Sequence, residues 1–508
     1  MTYEDFLRRG ARWNPPSGPV RPLCGMNKTI RRTAVVCLLM VLALLVRVTW
    51  VQAYQGKALA DNERNRRTLI DRYAHPLGDI VVAGSPVTGS AKTSVSDDLK
   101  YKRTYTDGEL YAAVTGYSSQ AYRSTQLEGI YADVLDGTDP RLKNPLDALT
   151  GEHAAPGSVL TTIDPAVQKA GFDALGGKKG AAVAIDPSTG KILGMVSTPS
   201  YDPSAISGTT DGDAWNRLTS DPDKPMVNRA LRQPLPPGST FKLVVAAAAL
   251  EDGLYGSVDT RTQSPDPFTL PGTSKVLKNE NASAPCENAT IRTALQYSCN
   301  NVFAKMAADL GEDKVRATAA KLGFNDTEQD VPVRAAESVY PSGMDDAQTA
   351  LTGIGQFEVT ATPLQMAMVS SALANDGILE SPHMVSEVVD AKGDTLTSYE
   401  DEPSRRIVSS STAEQLRSAM VTVVDEGTGS NARIDGAEVG GKTGTAQHGV
   451  NNSLTPYAWF TSYAKDSSTG KEVAVAVLVE DSGAARSEVS GNGLAAPIAK
   501  RMMEAALR

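Results

Sequence analysis

A serine and a lysine three residues apart can act as a nucleophile and its base. Ser239 and Lys242 follow Pro236-Pro237-Gly238, and the apolar run 243–250 comes directly after the lysine. Because proline and glycine are unfavourable inside a helix while this run is rich in helix formers, the pattern predicts a helix that begins at or just beyond Ser239. Residues three apart share one helix face, so the Lys242 amine can accept the hydroxyl proton.

Two further motifs accompany this pair. They are Ser298-Cys299-Asn300, which has the form Ser-x-Asn, and Lys442-Thr443-Gly444. Alone, Ser-x-x-Lys is typical of a capped surface helix, Ser-x-Asn of a turn, and Lys-Thr-Gly of a hairpin end. All three together, in this order and at roughly these spacings, are typical of the serine enzymes that recognise penicillin.

On these motifs the chain resembles the class B penicillin-binding proteins, and closely their actinobacterial branch, which has a short membrane-proximal domain. The resemblance covers the chain from about residue 26 onward. It implies peptidoglycan D,D-transpeptidation, in which a D-alanyl-D-alanine stem peptide acylates Ser239 and D-alanine leaves. An amine of a neighbouring stem then attacks the acyl-serine and cross-links the two peptides.

Two other functions stay open at this point. With water as the acceptor, the same site is a D,D-carboxypeptidase. A catalytically silent ectodomain that senses β-lactams or acts as a scaffold for division proteins is the second alternative. A β-lactamase needs a fast deacylation base, and no Glu-x-x-Leu-Asn stretch follows the Ser-x-Asn motif. Penicillins are therefore expected to acylate Ser239 and remain attached.

The other motif residues have roles that follow from this chemistry. Lys242 must be uncharged to act as a base, and an exposed lysine has a pKa of about 10.4. Burial and the nearby charge of Lys442 are both expected to lower it. We expect Ser298 to relay the proton toward the leaving amine, and Asn300 to hydrogen-bond Lys242 and the substrate amide. Lys442 and Thr443 are expected to hold the terminal carboxylate of the donor peptide.

The predicted oxyanion hole consists of the backbone N–H groups of Ser239 and Thr445, and Gly444 allows the close approach that this requires. His448 lies four residues beyond Gly444, in a stretch that predicts a loop, and the base is already assigned to lysine. The four histidines are widely scattered, at positions 75, 153, 383 and 448. We therefore expect no metal site and no cofactor.

The elements that must position these residues predict an α+β domain over residues 157–508. Strand-like runs are predicted at residues 181–185, 191–196, 457–463 and 473–479. Helical patterns lie between these distant segments, so one antiparallel sheet flanked by helices is expected. A helical lobe carries Ser298 and Asn300. Gly440 and Gly441 predict a bend just before the strand that holds Lys442.

Residues 54–156 contain short mixed segments, many turn residues and no catalytic grouping. They resemble the membrane-proximal pedestal, or dimerisation-like domain, of class B enzymes. Leu77 stands where the family usually has an arginine that makes a polar contact within the pedestal. Because a region of this size has a small core, it is expected to lean on the catalytic domain. It serves either as a spacer or as a docking site for wall-building partners.

The N-terminal region predicts a membrane anchor. Residues 1–32 form a basic tail with Glu4 and Asp5 as its acidic residues and Arg8, Arg9, Arg12, Arg21, Lys28, Arg31 and Arg32 as its basic ones. Residues 33–53 are mostly apolar, with Arg47 as their one charged residue. Arg47 can snorkel, and Trp50 suits an interface. Positive charge before the span predicts a cytoplasmic N-terminus and an extracytoplasmic catalytic domain. A signal peptide cleaved near Ala53 is the alternative.

Composition limits the partners. The net charge of −9 and the lack of a large basic block argue against a nucleic-acid surface. The chain has no separate region the size of a glycosyltransferase. The expected partners are therefore peptidoglycan stem peptides, β-lactams as covalent inhibitors, and a separate membrane glycosyltransferase with division or elongation proteins.

Two of the four cysteines fall in the predicted extracytoplasmic part. Cys286 and Cys299 are 13 positions apart, and the second lies inside the Ser-x-Asn motif. Since oxidation is permitted outside the cytoplasm, we hypothesise a disulfide that braces the loop carrying Ser298 and Asn300. Two free buried thiols are the alternative. Cys24 and Cys37 lie before or within the anchor.

Overall fold

A computed structural model of the chain describes residues 24–55, 66–94, 99–142, 154–399 and 404–508. The chain divides into two units, Met1–Ile70 and Asp71–Arg508. The first 23 residues of the predicted basic tail lie outside the described residues.

The first unit contains one long apolar helix, α1 (Cys24–Trp50), which continues as a π-helical turn at Val51–Gln55. By length and composition, Lys28–Gln55 could cross a membrane, and its apolar side chains are exposed. The helix begins earlier than the predicted anchor, because no proline or glycine interrupts the chain between Met26 and Gln55. A short helix, α2 (Arg66–Arg72), follows.

The pedestal begins the second unit with short elements. Its strands are β1 (Ile80–Val82), β2 (Ser85–Pro86), β3 (Thr88–Lys92), β4 (Tyr101–Tyr105), β5 (Ser118–Ser119) and β6 (Arg123–Ser124). Its helices are α3 (Gly108–Thr115), α4 (Gln126–Ile130) and α5 (Ala132–Leu135). Arg103 on β4 is fully buried, and its Nε donates to Glu128 Oε1 on α4 at 2.5 Å. This ion pair joins strand β4 to helix α4 within the pedestal.

The rest of the chain forms a mixed domain. Its strands are β7 (Ser158–Thr161), β8 (Lys179–Ile185), β9 (Ile192–Thr198), β10 (Phe268–Thr269), β11 (Val276–Leu277), β12 (Ile378–Leu379), β13 (Val385–Val389), β14 (Thr395–Ser398), β15 (Arg405–Arg406), β16 (Ala437–Ala446), β17 (Tyr457–Asp466) and β18 (Glu472–Asp481). Its helices are α6 (Pro165–Leu175), α7 (Gly212–Ser220), α8 (Arg229–Arg232), α9 (Lys242–Glu251), α10 (Ile291–Gln296), α11 (Asn300–Leu310), α12 (Glu312–Lys321), α13 (Asp346–Thr352), α14 (Pro363–Ala374), α15 (Ser410–Asp425) and α16 (Ala496–Leu507).

A five-stranded antiparallel sheet with the order β16-β17-β18-β8-β9 is the centre of this domain. Strand side chains alternate between its faces. Ala181 and Val183 belong to the core cluster that contains α9 and α14, whereas Ala182 packs with α6 and α16 on the opposite face. The sheet therefore lies between two helical layers, as the sequence predicted. Its edge strand, β16, carries the Lys-Thr-Gly motif.

A second sheet connects the pedestal to the catalytic domain. Its order is β14-β13-β7-β1-β2, with β7 parallel to β1 and antiparallel to β13. Ile80 pairs with Val159, so the first residues of the predicted catalytic domain hydrogen-bond to the pedestal. The small pedestal core thus merges with the core of the catalytic domain. The pedestal was expected to lean on the catalytic domain, and this shared core is how it does so.

Candidate active site

Ser239 lies in a short 3-10 turn, Gly238–Phe241, that leads directly into α9. The turn is packed between two other segments. Gly238 has a φ of +54°, and a Cβ added there would lie 3.1 Å from Ala446 Cβ on β16. A Cβ added to Gly355 would lie 2.1 Å from the Gly238 carbonyl oxygen. Because only glycine tolerates this conformation and this closeness, the turn that carries Ser239 is held rigidly.

Lys242 begins α9 and is fully buried. Its Nζ donates to Ser298 O at 2.7 Å, to Ser298 Oγ at 3.2 Å and to Asn300 Oδ1 at 2.8 Å. The hydrogen bond expected between Lys242 and Asn300 is therefore present. Among the described residues, the Ser239 hydroxyl makes no hydrogen bond to this amine, although the two residues are one helical turn apart.

Ser298 connects the two lysines of the site. Its Oγ accepts from Lys242 Nζ at 3.2 Å and from Lys442 Nζ at 3.1 Å. The residue has a φ of +59°, a conformation that is uncommon for serine and persists only where the surroundings fix it. Cys299 N donates to Ala294 O at 2.8 Å directly after it. The turn between α10 and α11 thus directs the Ser298 hydroxyl at both amines.

Cys286 and Cys299 are joined by a disulfide whose Cα atoms are 5.5 Å apart, and both residues are buried. The bond attaches the segment before α10 to the residue between Ser298 and Asn300. Of the other two cysteines, Cys37 is free and exposed on α1, and nothing is described of the Cys24 side chain.

Lys442, Thr443, Gly444 and Thr445 lie on β16, but the bend predicted just before them is absent. Gly440 and Gly441 are inside the strand and pair with Tyr463 and Ser462. The prediction of a bend is wrong because these glycines serve packing instead. A Cβ on Gly440 would lie 2.3 Å from Tyr463 Cε1, and one on Gly441 would lie 2.5 Å from the ring of Phe460.

The residues of this strand face the other two motifs. Lys442 is fully buried, and its Nζ contacts Ser298 Oγ and also Thr443 O at 2.9 Å. A Cβ on Gly444 would lie 2.9 Å from the Pro237 carbonyl oxygen, so glycine lets the strand approach the Ser239 turn. Thr445, the next residue, is half-buried. The structure therefore brings all three motifs to one cleft.

The sequence matches known proteins over most of its length. The penicillin-binding protein transpeptidase domain matches residues 180–504, and the penicillin-binding protein A dimerisation domain matches residues 77–159. The chain is 37% identical over 497 residues to the peptidoglycan D,D-transpeptidase PbpA of Mycolicibacterium smegmatis, which covers 95% of this chain and 99% of that one. This chain belongs to the class B penicillin-binding protein transpeptidases.

Solved structures of penicillin-binding protein A from M. tuberculosis have the same fold. Its ceftriaxone acyl-enzyme complex matches with a TM-score of 0.80 at 36% identity, covering 86% of this chain and 100% of that chain. Its penicillin G acyl-enzyme complex matches with a TM-score of 0.77 at 36% identity, covering 85% and 100%. The predicted family and fold class are confirmed.

In this penicillin-binding protein, burial lowers the pKa of both lysines. Burial is the largest cause of the low pKa of Lys242, and the positive charge of Lys442 lowers it further, so the pKa lies well below its usual range. Burial lowers the pKa of Lys442 to about 7. A neutral Lys242 retains two N–H donors for the carbonyl oxygens of Ser298 and Asn300, and its lone pair is then available to a hydroxyl proton.

Two residues of this penicillin-binding protein site were missed from the sequence. Asn279 Oδ1 accepts from Asn300 N at 2.5 Å, and it thereby holds the start of α11. Thr428 Oγ1 accepts from Thr443 Oγ1 at 2.9 Å, and Thr428 N donates to Gln296 O at 3.2 Å. Both lie in loops outside the motifs, Asn279 21 residues before Asn300 and Thr428 15 residues before Thr443. In the sequence, Asn279 is one of two asparagines that flank Glu280, and Thr428 stands in a Gly-Thr-Gly stretch at 427–429. Neither pattern is specific enough to predict a role in the site.

The remaining sequence candidates lie outside this chemistry. His448 stacks on Tyr457 with ring centroids 3.9 Å apart, and its Nε2 is 2.6 Å from Thr455 O. In the described ranges, no three His, Cys, Asp or Glu side chains are grouped so as to hold a metal ion.

Proposed function

We propose that this protein is a peptidoglycan D,D-transpeptidase in which Ser239 is the nucleophile and Lys242 its base. The observation that carries the assignment is a pair of buried lysines, Lys242 and Lys442, whose amines both contact Ser298 Oγ. Of the two, Lys242 is one helical turn from Ser239. A buried amine with a lowered pKa can accept a proton at neutral pH, which an exposed lysine cannot.

Acylation follows from these positions. Ser239 Oγ bonds the carbonyl carbon of the penultimate D-alanine while its proton moves to Lys242 Nζ. The C–N bond to the terminal D-alanine then breaks, and its nitrogen receives a proton through Ser298 Oγ. The N–H groups of Ser239 and Thr445 hold the oxyanion, and each such donor is worth about 3 kcal/mol of barrier.

The donor peptide ends in a carboxylate, which needs a cation at the cleft. Lys442 and Thr443 supply a charge and a hydroxyl on the edge strand, and Thr428 orients that hydroxyl through their hydrogen bond. The amide of Asn300 is the polar group placed for the peptide backbone. Transfer to a second stem peptide completes the cross-link, whereas transfer to water is the carboxypeptidase reaction.

Fluorescent penicillin tests the nucleophile. The full-length chain in detergent is expected to bind it covalently, and Ser239→Ala is expected to abolish labelling while the thermal unfolding midpoint stays within a few degrees. Ser298→Ala is the matched serine control, and it is expected to slow labelling without removing the attachment atom. Labelling of Ser239→Ala at the wild-type rate would refute the assignment. A wild-type chain that stays unlabelled would favour the silent scaffold.

We also propose that α1 is an uncleaved anchor with its N-terminus in the cytoplasm. Lys28, Arg31 and Arg32 at the start of the helix support this orientation, because positive charge is retained on the cytoplasmic side. The catalytic domain then faces the wall, where a separate membrane glycosyltransferase supplies the glycan. Protease added to intact spheroplasts should digest the region after α1, and full protection of that region would reverse the topology.

A further inference from the structure

One loop is attached directly to the Ser-x-Asn motif. Asn279 Oδ1 accepts from Asn300 N at 2.5 Å and from Asn301 N at 3.3 Å, and Asn279 Nδ2 donates to Asn301 Oδ1 at 3.0 Å. Asn300 Nδ2 donates to Lys278 O at 3.2 Å. Because Asn300 Oδ1 also accepts from Lys242 Nζ, this loop lies directly beside the catalytic motifs. Glu280 is the residue that follows Asn279 in the loop.

Glu280 adds an exposed carboxylate to the loop that is hydrogen-bonded to Asn300. Its side chain is exposed, yet its charge raises the pKa of Lys242 and of Lys442, in opposition to burial. The geometry agrees, because Glu280 directly follows Asn279, whose Oδ1 accepts from Asn300 N at 2.5 Å, and Asn300 Oδ1 in turn accepts from Lys242 Nζ at 2.8 Å.

The second substrate presents a problem that such a carboxylate solves. The acceptor is a primary amine, and primary amines of this kind are protonated at neutral pH. The positive charge of Lys442, which binds the carboxylate of the departing D-alanine, repels an incoming ammonium. A negative charge at the entrance offsets this repulsion and raises the local concentration of cations.

We propose that Glu280 is a specificity-determining residue for the acceptor, which its carboxylate recognises as a stem peptide with a free primary ammonium group. This inference rests on the proposed transpeptidase function. Glu280 binds and orients, and the chemistry stays with Ser239 and Lys242. One proton of the ammonium leaves to bulk water. The amine nitrogen then bonds the acyl carbon, the bond to Ser239 Oγ breaks, and the second proton reaches Ser239 Oγ through Lys242.

The test separates acylation from amine transfer. The full-length protein is given a D-alanyl-D-alanine donor and increasing amounts of a peptide with one primary amine, and cross-linked and hydrolysed products are measured. Glu280→Gln is expected to raise the half-saturating amine concentration about tenfold, whereas Glu280→Asp retains most of the effect. Glu287 is also exposed and lies in the same segment between α9 and α10. Glu287→Gln is therefore the matched control and should behave like the wild type.

Penicillin acylation in each variant shows whether the site is intact. Wild-type acylation with weakened amine capture in Glu280→Gln supports the proposal. An unchanged amine dependence overturns it, as does an equal loss in Glu287→Gln or a parallel loss of acylation. Failure of the wild type to be acylated, or to transfer to any amine, would instead refute the proposed function, so the two failures are distinguishable.

Discussion

Lys442 is fully buried, and its amine donates to Ser298 Oγ at 3.1 Å and to Thr443 O at 2.9 Å. Burial lowers its pKa to about 7, so its charge changes within the physiological range. The two lysines need opposite charge states, since Lys242 must be neutral to accept a proton while Lys442 must be charged to bind a carboxylate. Their mutual repulsion favours this division, because the charge on Lys442 lowers the pKa of Lys242.

The pH dependence of penicillin acylation should therefore be bell-shaped. The rate rises with pH as Lys242 loses its proton, and it falls on the alkaline side as Lys442 loses its own, from about pH 7 in the free enzyme. In Lys442→Arg the guanidinium stays charged, so the alkaline limb is expected to move upward by at least about one pH unit. Stopped-flow measurement of the penicillin acylation rate across this pH range, in the wild type and in Lys442→Arg, checks this. An alkaline limb at the same pH in both proteins would assign it to another group.

At the scale of elements, the site depends on the turn between α10 and α11. The Cys286–Cys299 disulfide and the Asn279 hydrogen bonds fix this turn from two sides. Ser298 has an unfavourable φ, which relaxes if the support is lost. Stability and catalysis are thus coupled in this one segment.

Removal of the disulfide tests that coupling. The double variant Cys286→Ser with Cys299→Ser is expected to lose about 3 kcal/mol of unfolding free energy, as a loop of this length suggests. Penicillin acylation should slow about tenfold or more, since small misplacements of catalytic groups are costly. Urea denaturation and labelling kinetics measure the two effects. Cys37→Ser, which alters the exposed free cysteine on α1, should change neither.

The same elements explain what the sequence could and could not predict. The strands of the central sheet could be predicted, because strand-like runs and the turn residues between them are local signals in the sequence. Gly440 and Gly441 gave a false bend, since their role is to make room for rings on the neighbouring strand. Asn279 and Thr428 act through hydrogen bonds to residues 21 and 15 positions away, and β7 pairs with β1 from a distant part of the chain, so no local pattern reports these contacts.

At the scale of the whole unit, the pedestal is tied to the catalytic domain through the shared sheet. Its main internal connection is the buried pair of Arg103 and Glu128, with Arg103 Nη1 also donating to Gly78 O at 2.6 Å. A buried charge whose partner is removed is strongly destabilising.

Glu128→Gln is expected to lower the unfolding free energy by about 3 kcal/mol, because it removes the nearer carboxylate of the buried Arg103 guanidinium and leaves Asp79 Oδ1 3.9 Å from Arg103 Nη1. Since one sheet runs through both regions, calorimetry should show a single transition at lower temperature. Labelling by penicillin well below that temperature should be unchanged. Asp173→Asn, which breaks an exposed pair with Lys169, is the control and should cost less than about 1 kcal/mol. Two separate transitions in Glu128→Gln would contradict the shared core.

The floor of the cleft is built from positions that tolerate no side chain. A Cβ added to Gly355 or Gly444 would lie 2.1 Å or 2.9 Å from a backbone oxygen, and Gly238 has a φ of +54° with Ala446 Cβ 3.1 Å from such an atom. Selection for drug resistance therefore has little freedom beneath Ser239, since a bulkier residue there would damage the enzyme before it excluded an antibiotic. Escape variants are expected at the rim instead, and inhibitors that draw their affinity from the floor should be the hardest to evade.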